Sequence, residues 1–278
     1  MSDIRRTNEA AHLLVGVPQA PSHLWVRGNV PSVTGVAIVG TRRCTEYGRS
    51  VARTLGHAVA TAGWPVISGL ARGIDAAAHA GTLDAGGQGF AVLGSGVDVI
   101  YPAENRGLAA QLLDRSGGLI SEYPPGTPPA PFRFPARNRI IAGLSGAVIV
   151  VEAAVTGGAL ITARLALEQG KDVLAVPGDI TRATSEGCNL LIRDGAHPVL
   201  SAEDLIESLR FILGNPPHAG TLQSTAFAMA APLALDEVLE NSSRPIGAVL
   251  AEVMKAELEG HLEVKDGVVT APRGPVPP

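Results

Sequence analysis

Between residues 36 and 178, short apolar runs alternate without interruption with segments of helical spacing, and this pattern leaves the chain few ways to fold. VAIVG (36–40), FAVLGSG (90–96), AVIVVEA (147–153) and DVLAVPG (172–178) are apolar on successive residues, not on every second one. A strand of that kind is buried on both faces, as in a parallel sheet covered by helices. VIS (66–68) and LISEY (119–123) read as further strands. Helical segments fall over 46–62, after 73, near 105–114, near 137–144 and near 159–169. Repeated βαβ units predict an α/β, doubly wound, mostly parallel sheet over residues 35–212. Residues 1–34, broken by Pro18, Pro21 and Pro31, read as an N-terminal extension packed on that domain, with LWVRG (24–28) as a short strand.

Residues 213–232 are rich in Pro, Ala and Ser and read as a linker. Beyond it, LALDEVLE (233–240) and IGAVLAEVMKAELEG (246–260) have helical spacing, and HLEVKDGVVTA (261–271) reads as a hairpin turning at Lys265-Asp266-Gly267. The set suggests a small winged-helix-like domain over 233–272, followed by a loose tail at 273–278.

In a doubly wound sheet the carboxyl ends of the strands share one edge. Several of these ends carry small residues: Gly40, Ser68-Gly69, Gly94-Ser95-Gly96, Ser121 and Gly157-Gly158. They are expected to line one crevice. The stretch VISGLARGIDAAAH (66–79) is a strand, a glycine turn and a helix start, with Arg72 in the turn. It reads either as an anion cradle built from backbone amides and a helix dipole, or as an ordinary turn whose glycines only close the backbone. GTRR (40–43) is placed like a phosphate-binding first turn but lacks the glycine spacing of a dinucleotide fingerprint. TGGALITA (156–163) opens another helix with paired glycines, and the same anion argument applies.

The formal net charge of −4 is unevenly spread. Residues 36–150 hold ten arginines against seven acids, whereas 201–266 hold four bases against eleven acids. A polyanion should therefore meet the first half of the chain. The stretch FRFPARNRII (132–141) sharpens this, because Arg133, Arg137, Asn138 and Arg139 stand beside two of the chain's five phenylalanines, Phe132 and Phe134. Arginine forks bind phosphates, and an exposed Phe stacks on an unpaired base. The alternative is two core aromatics beside a solvated basic face.

Candidates for catalysis are few. Asp75 and His79 lie four residues apart on one helix but have no third metal ligand nearby in sequence. Ser68 lacks a hydrolase elbow. Glu122 and Glu152 lie at strand ends with no evident partner. The two cysteines, Cys44 and Cys188, fit no metal or disulfide framework, and no apolar run reaches the roughly 18 residues of a membrane helix. No cofactor or metal is expected, no signal peptide is read at the N-terminus, and a reducing cytoplasm is the expected setting.

The motifs VAIVGTRR, VISGLARGIDAAAH, AVLGSGVDVIYPAENR, LISEYPPGTPP, FPARNRIIAGLS, VVEA, LITARLALEQGKDVLAVPG and GCNLLIRDGA resemble, in order and spacing, those of the DprA/Smf family. The resemblance covers about residues 20–210, more weakly the tail. It implies an extended Rossmann-like domain and a homodimer. It also implies a single-stranded DNA-binding recombination mediator of natural transformation that protects incoming strands, displaces single-strand-binding protein and loads RecA, with no covalent chemistry. By the same resemblance the DNA site falls on Arg42, Ser68, Gly69, Arg72, Phe134, Arg137, Asn138 and Arg139. Arg133 and Gly158 join it, the one beside the basic run and the other where Gly157-Gly158-Ala159 replaces the family's usual Ser-Gly-Ser. The N-terminal helical domain of many members has no counterpart in this sequence. The competing expectation is a Rossmann-like nucleoside-monophosphate phosphoribohydrolase using Glu122 or Glu152 as acid, whose PGG-x-GT run does not occur here.

Overall fold

The computed structural model describes residues 4–216 and, beyond them, only the strands Leu233–Ala234, Glu263–Lys265 and Val268–Thr270. The chain divides into two units, Met1–Ala219 and Gly220–Pro278.

The first unit is organised around β3 (Gly35–Val39), in which every residue is buried. The first strand after the N-terminal pair β1 (Ile4–Thr7) and β2 (Leu24–Gly28) thus lies in the interior of the sheet, not at its edge. From β3 the chain winds outward through β4 (Val66–Ser68), β5 (Gly89–Leu93) and β6 (Gly118–Ser121). It then returns to β7 (Ser145–Val150) on the other side of β3 and winds outward again through β8 (Asp172–Ala175) and β9 (His197–Pro198). The resulting nine-stranded order is β1-β2-β6-β5-β4-β3-β7-β8-β9. All pairs from β6 to β9 are parallel, while β1 and β2 add to the β6 edge antiparallel. Residues 4–28 therefore extend the sheet itself, and β1 is a strand the sequence pattern does not announce.

The alternation of side chains along β3 feeds two cores. Val36 and Ile38 pack with Ala52, Leu55 and Val59 of α1 (Glu46–Thr61), with Ile74 and Ala78 of α2 (Ile74–Asp84), and with Leu205 and Leu209 of α7 (Ala202–Leu213). Ala37 and Val39 face the opposite layer, built on α4 (Arg133–Gly143), α5 (Gly158–Glu168) and Cys188 of α6 (Ala183–Arg193). A third cluster joins Leu93 and Leu119 to Ala109 and Leu112 of α3 (Arg106–Asp114). The sheet is Rossmann-like and doubly wound, as expected.

Two differences from the sequence reading are local. Helix α4 begins at Arg133 and not near 137, because Pro135 sits in its first turn, where no amide donor is needed. Strands β5 to β8 end two or three residues earlier than their apolar runs, although residues beyond them, such as Val151 and Val176, stay in the core. Helices α6 and α7 fall in a region left unassigned by periodicity.

In the second unit the three short strands form an antiparallel sheet in the order β10 (Leu233–Ala234), β12 (Val268–Thr270), β11 (Glu263–Lys265). The expected hairpin is present as the β11–β12 pair, with its turn residues outside the described ones. Leu233 and Ala234, expected to open a helix, pair as a strand instead. The remaining expected helices and most of the linker lie outside the described residues.

Helices α1 and α2 pack backbone to backbone through glycine. A Cβ at Gly81 would overlap the carbonyl of Arg53, and one at Gly56 the carbonyl of Ala78. Helix propensity alone favours Ala over Gly by about 1 kcal/mol. The overlap is with main chain, which cannot rotate aside, so the packing term reverses that sign. Gly81→Ala is expected to lower stability by about 2 kcal/mol in urea denaturation; a gain would show that the two helices separate freely.

Candidate functional site

The sheet reverses its winding between β3 and β7, and the loops leaving these strands diverge around a cleft of about 550 Å3. Its first wall is the turn 40–43. The Thr41 amide donates to the Glu152 carbonyl (2.7 Å), and the Thr41 carbonyl accepts from the Ile74 amide (3.3 Å). The buried Glu152 carboxylate accepts from the Thr45 amide (2.8 Å) and hydroxyl (2.6 Å), while that hydroxyl caps α1 by accepting from the Gly48 amide (3.1 Å). So fixed, the turn projects Arg42 and Arg43, both exposed and both lining the cleft. Among the described residues neither makes an ion pair.

The second wall is the turn 69–73 before α2. Gly73 has a positive φ of 76°, and a Cβ there would strike the Thr41 carbonyl, so only glycine lets the two turns dock. Two amides at this turn are engaged within the protein: that of Ala71 with Asp75 Oδ2 (3.3 Å) and that of Ile74 with the Thr41 carbonyl. Asp75 thereby occupies the place an external anion would take. This favours the ordinary-turn reading of VISGLARGIDAAAH over the cradle.

Helix α4 forms the third wall. Arg137 is 5% exposed, and its Nη1 donates to the carbonyls of Gly69 (2.8 Å) and Val92. Its Nε donates to Asn138 Oδ1 (3.1 Å), and Asn138 Nδ2 donates to the Gly158 carbonyl (3.4 Å). Both Arg137 Nη1 and Asp75 Oδ2 lie 2.6 Å from the point where a Cβ on Gly69 would stand. Gly69 is therefore required by this buried charge cluster. Burial raises the Asp75 carboxyl above its ordinary value, opposed by the nearby Arg137. Burial pulls Arg137 down to about 10, opposed by Asp75, and leaves it cationic at neutral pH.

Phe134 is half-buried in the same wall. The Arg42 guanidinium sits 4.7 Å from its ring centroid, and the Tyr101 ring leans on it at 5.6 Å. Gly157 and Gly158 complete the cleft at the start of α5, whose N-terminus no side chain caps; around Gly158 there is open space. A small slot adjoins the cleft past Phe134, bordered by Gly69, Arg72 and Tyr101.

The structure thus brings together Arg42, Phe134, Arg137, Asn138 and Gly158 in the cleft, with Gly69 and Arg72 in the slot. Ser68 is fully buried, its hydroxyl donating to the Ile38 carbonyl (2.6 Å). Arg139 is 13% exposed at its side chain and is bound to Glu122 (2.5 Å) and the Gln19 carbonyl (3.0 Å). Arg133 donates to the Pro128 carbonyl, and Arg72 forms a two-point ion pair with Glu104 (2.7 and 3.0 Å). Among the small residues expected in one crevice, Ser121 is also fully buried. Tyr101 and the countercharges Asp75 and Glu104 were not anticipated as part of the site. Only the position of Tyr101, after an apolar strand and a glycine pair, hinted at it.

The enzymatic candidates are placed elsewhere. Glu152 is held at the α1 cap and Glu122 by Arg139, and neither lines the cleft. His79 is fully buried with neither ring nitrogen hydrogen-bonded, and burial pushes it down to about 3, so it is a neutral core residue. Among the described residues no three His, Cys, Asp or Glu side chains are grouped to hold a metal, and no helix is long and apolar enough to cross a membrane.

The chain is similar to known proteins in sequence and in fold. The family model described as DNA recombination-mediator protein A matches residues 5–210. Protein Smf of Escherichia coli K12 is 38% identical over 271 residues, which is 91% of this chain and 72% of its own length. The crystal structure of DNA processing protein A (DprA) from Streptococcus pneumoniae has a TM-score of 0.65 at 42% identity, covering 70% of this chain and 69% of that one. The structure of DNA processing protein A from Helicobacter pylori, which describes that protein's single-stranded DNA binding mode, has a TM-score of 0.68 at 28% identity and covers 74% of this chain and 95% of that one.

Removing Arg137 tests the role of the buried cluster. Its loss leaves Asp75 buried without its principal countercharge, so Arg137→Ala is expected to cost about 3 kcal/mol at neutral pH. Because the folded-state pKa of Asp75 is raised, the native state holds its proton more tightly than the unfolded chain does, and stability falls as pH rises through the window above 3.8. Without Arg137 that fall steepens. The deficit of the variant against wild type should therefore be smallest near pH 4 and largest at neutrality, read from denaturation midpoints; a deficit independent of pH would detach Asp75 from Arg137.

Proposed function

The chain belongs to the DNA recombination-mediator protein A family, the DprA/Smf proteins, and from that premise we propose that it binds single-stranded DNA in the cleft between β3 and β7, without regard to sequence and without covalent chemistry. The observation that carries this reading is the pairing of two unpaired arginines, Arg42 and Arg43, with an uncapped helix N-terminus at Gly158 across one open cleft. Charge on one wall and amide donors on the other suit a phosphate lying between them. The single-stranded DNA binding described for the Helicobacter pylori relative supports the choice of ligand.

Roles within the proposed site divide by burial. Arg42, Arg43 and the Gly158 amide face the phosphates, and Arg72 joins them when it leaves Glu104. Phe134 orients Arg42. Arg137, Asn138 and Gly69 hold the walls in place, while Ser68 belongs to the interior. Arg139 acts through Glu122 on the same wall, and Arg133 sets the approach to it. In the cell the protein would protect incoming strands during natural transformation and load RecA on them in exchange for single-strand-binding protein, as a homodimer, in the cytoplasm. These roles rest on the family.

The hydrolase alternative takes Glu122 or Glu152 as its acid. Both are engaged outside the cleft, which weighs against that reading.

Fluorescence anisotropy of labelled oligo-dT, alone and annealed to oligo-dA, over a salt series tests the proposal. Tight, salt-dependent binding to the single strand is expected. Arg42→Ala should weaken it about tenfold and flatten the log–log salt slope by about 0.7, the contribution of one phosphate contact on a single strand. Unchanged affinity would remove the cleft from the site. Release of free base from nucleoside monophosphates would instead restore the hydrolase.

Glu104 is an internal competitor for Arg72. Its removal frees a cation at the edge of the slot, so Glu104→Gln is expected to tighten oligo-dT binding severalfold and steepen the slope by about 0.7. Weaker binding would show that the Arg72–Glu104 pair shapes the site instead of masking it.

A further inference from the structure

Phe134, the aromatic the sequence places in the DNA site, is half-buried, and part of its ring is already covered. Arg42 covers its ring at 4.7 Å, Tyr101 packs at 5.6 Å, and the backbone at Gly94 is so close that a Cβ there would stand 2.9 Å from its Cδ1. A base stacking on the face that Arg42 covers would have to displace that guanidinium. Two residues earlier, Phe132 is 70% exposed. The ring itself lines neither the cleft nor the slot, but it follows Pro131, which does line the cleft, and so lies one residue from its edge.

This ring is prepared, not merely exposed. The Arg133 guanidinium lies 5.4 Å from its centroid and 4.9 Å from that of Tyr123, and Arg133 is anchored by the Pro128 carbonyl. A cation against one face of a ring, held between two aromatics, leaves the other face to a stacking partner. The approach is stiff as well: Pro124, Pro125, Pro128, Pro129 and Pro131 fix φ at five of the eight residues of 124–131. A ring presented on such a segment loses little conformational entropy when it takes a ligand. Phe211 is also exposed, but among the described residues no cation lies against its ring, and neither of its chain neighbours lines the cleft or the slot.

We propose that Phe132, backed by Arg133, is a base-stacking platform at the mouth of the cleft that receives an unpaired base of the strand whose phosphate the cleft holds. This rests on the single-stranded DNA reading and extends it. The platform selects for unpaired bases, since a base in a duplex has no free face to offer, whereas the cleft arginines meet phosphates of either form.

The test uses the full chain with two labelled oligomers of equal length, oligo-dT and a fully abasic deoxyribose-phosphate strand. Phe132→Ala should weaken oligo-dT binding about tenfold and leave abasic binding unchanged. Phe132→Trp should restore oligo-dT affinity, with its added indole fluorescence quenched by oligo-dT and not by the abasic strand. Because Phe132 is exposed, both variants should match wild type in thermal unfolding and in sedimentation. Wild-type affinity of Phe132→Ala for oligo-dT, equal losses on both strands, or loss of a dimer would each overturn the platform. Wild-type protein that binds neither strand would overturn the cleft reading itself, which separates the two failures.

Discussion

One buried guanidinium holds the functional edge of this sheet together. Arg137 comes from α4, yet it donates to the carbonyl ends of β4 and β5 at Gly69 and Val92, and through Asn138 it reaches Gly158 at the start of α5. The Asp75 carboxylate of α2 lies beside it. A charge in this position is costly to bury, and the surrounding acceptors together with Asp75 keep it ionised. The same demand explains the glycine at 69, where any side chain would fall on the two charged groups. Four elements distant in sequence are thereby set in one geometry, and the cleft is the space they leave.

A second carboxylate does the equivalent work across the cleft. Glu152, at the end of β7, binds both the amide and the hydroxyl of Thr45, and its own carbonyl takes the Thr41 amide. The turn that carries Arg42 and Arg43 is thus fastened at both ends. Fixed backbone with free side chains is the arrangement a phosphate site requires, because ordering occurs in the fold and not on binding. The other candidate arginines meet carboxylates or carbonyls, so the positive character of the cleft is concentrated on one turn.

Much of the architecture was legible from pattern. Apolar runs such as VAIVG and AVIVV could only be strands buried on both faces, and the doubly wound sheet followed. A crevice at the carboxyl edge of the strands followed too, and Gly40 and Gly157-Gly158 do line it, whereas its place at the reversal of winding came from the structure. The antiparallel pair at 4–28 was partly hidden, since β1 reads IRRT with no apolar rhythm and is defined only by its partner. Helix α4 was read too short because Pro135 looks like a break when its position in the first turn is unknown.

The individual arginines were where sequence reasoning ran out. FRFPARNRII showed a basic, aromatic stretch, and nothing within it separates a phosphate ligand from a structural brace. Arg137 reaches across 68 residues to Gly69, Arg139 across 17 to Glu122, and Arg72 across 32 to Glu104. The order of apolar and small residues determined the sheet, its winding and the edge where a ligand would lie, because burial and turn geometry depend on local pattern. Which side chains remain free to meet that ligand was decided only by the tertiary structure, because a charge is neutralised by whatever the fold brings within hydrogen-bond distance, and that neighbour is seldom near in the chain.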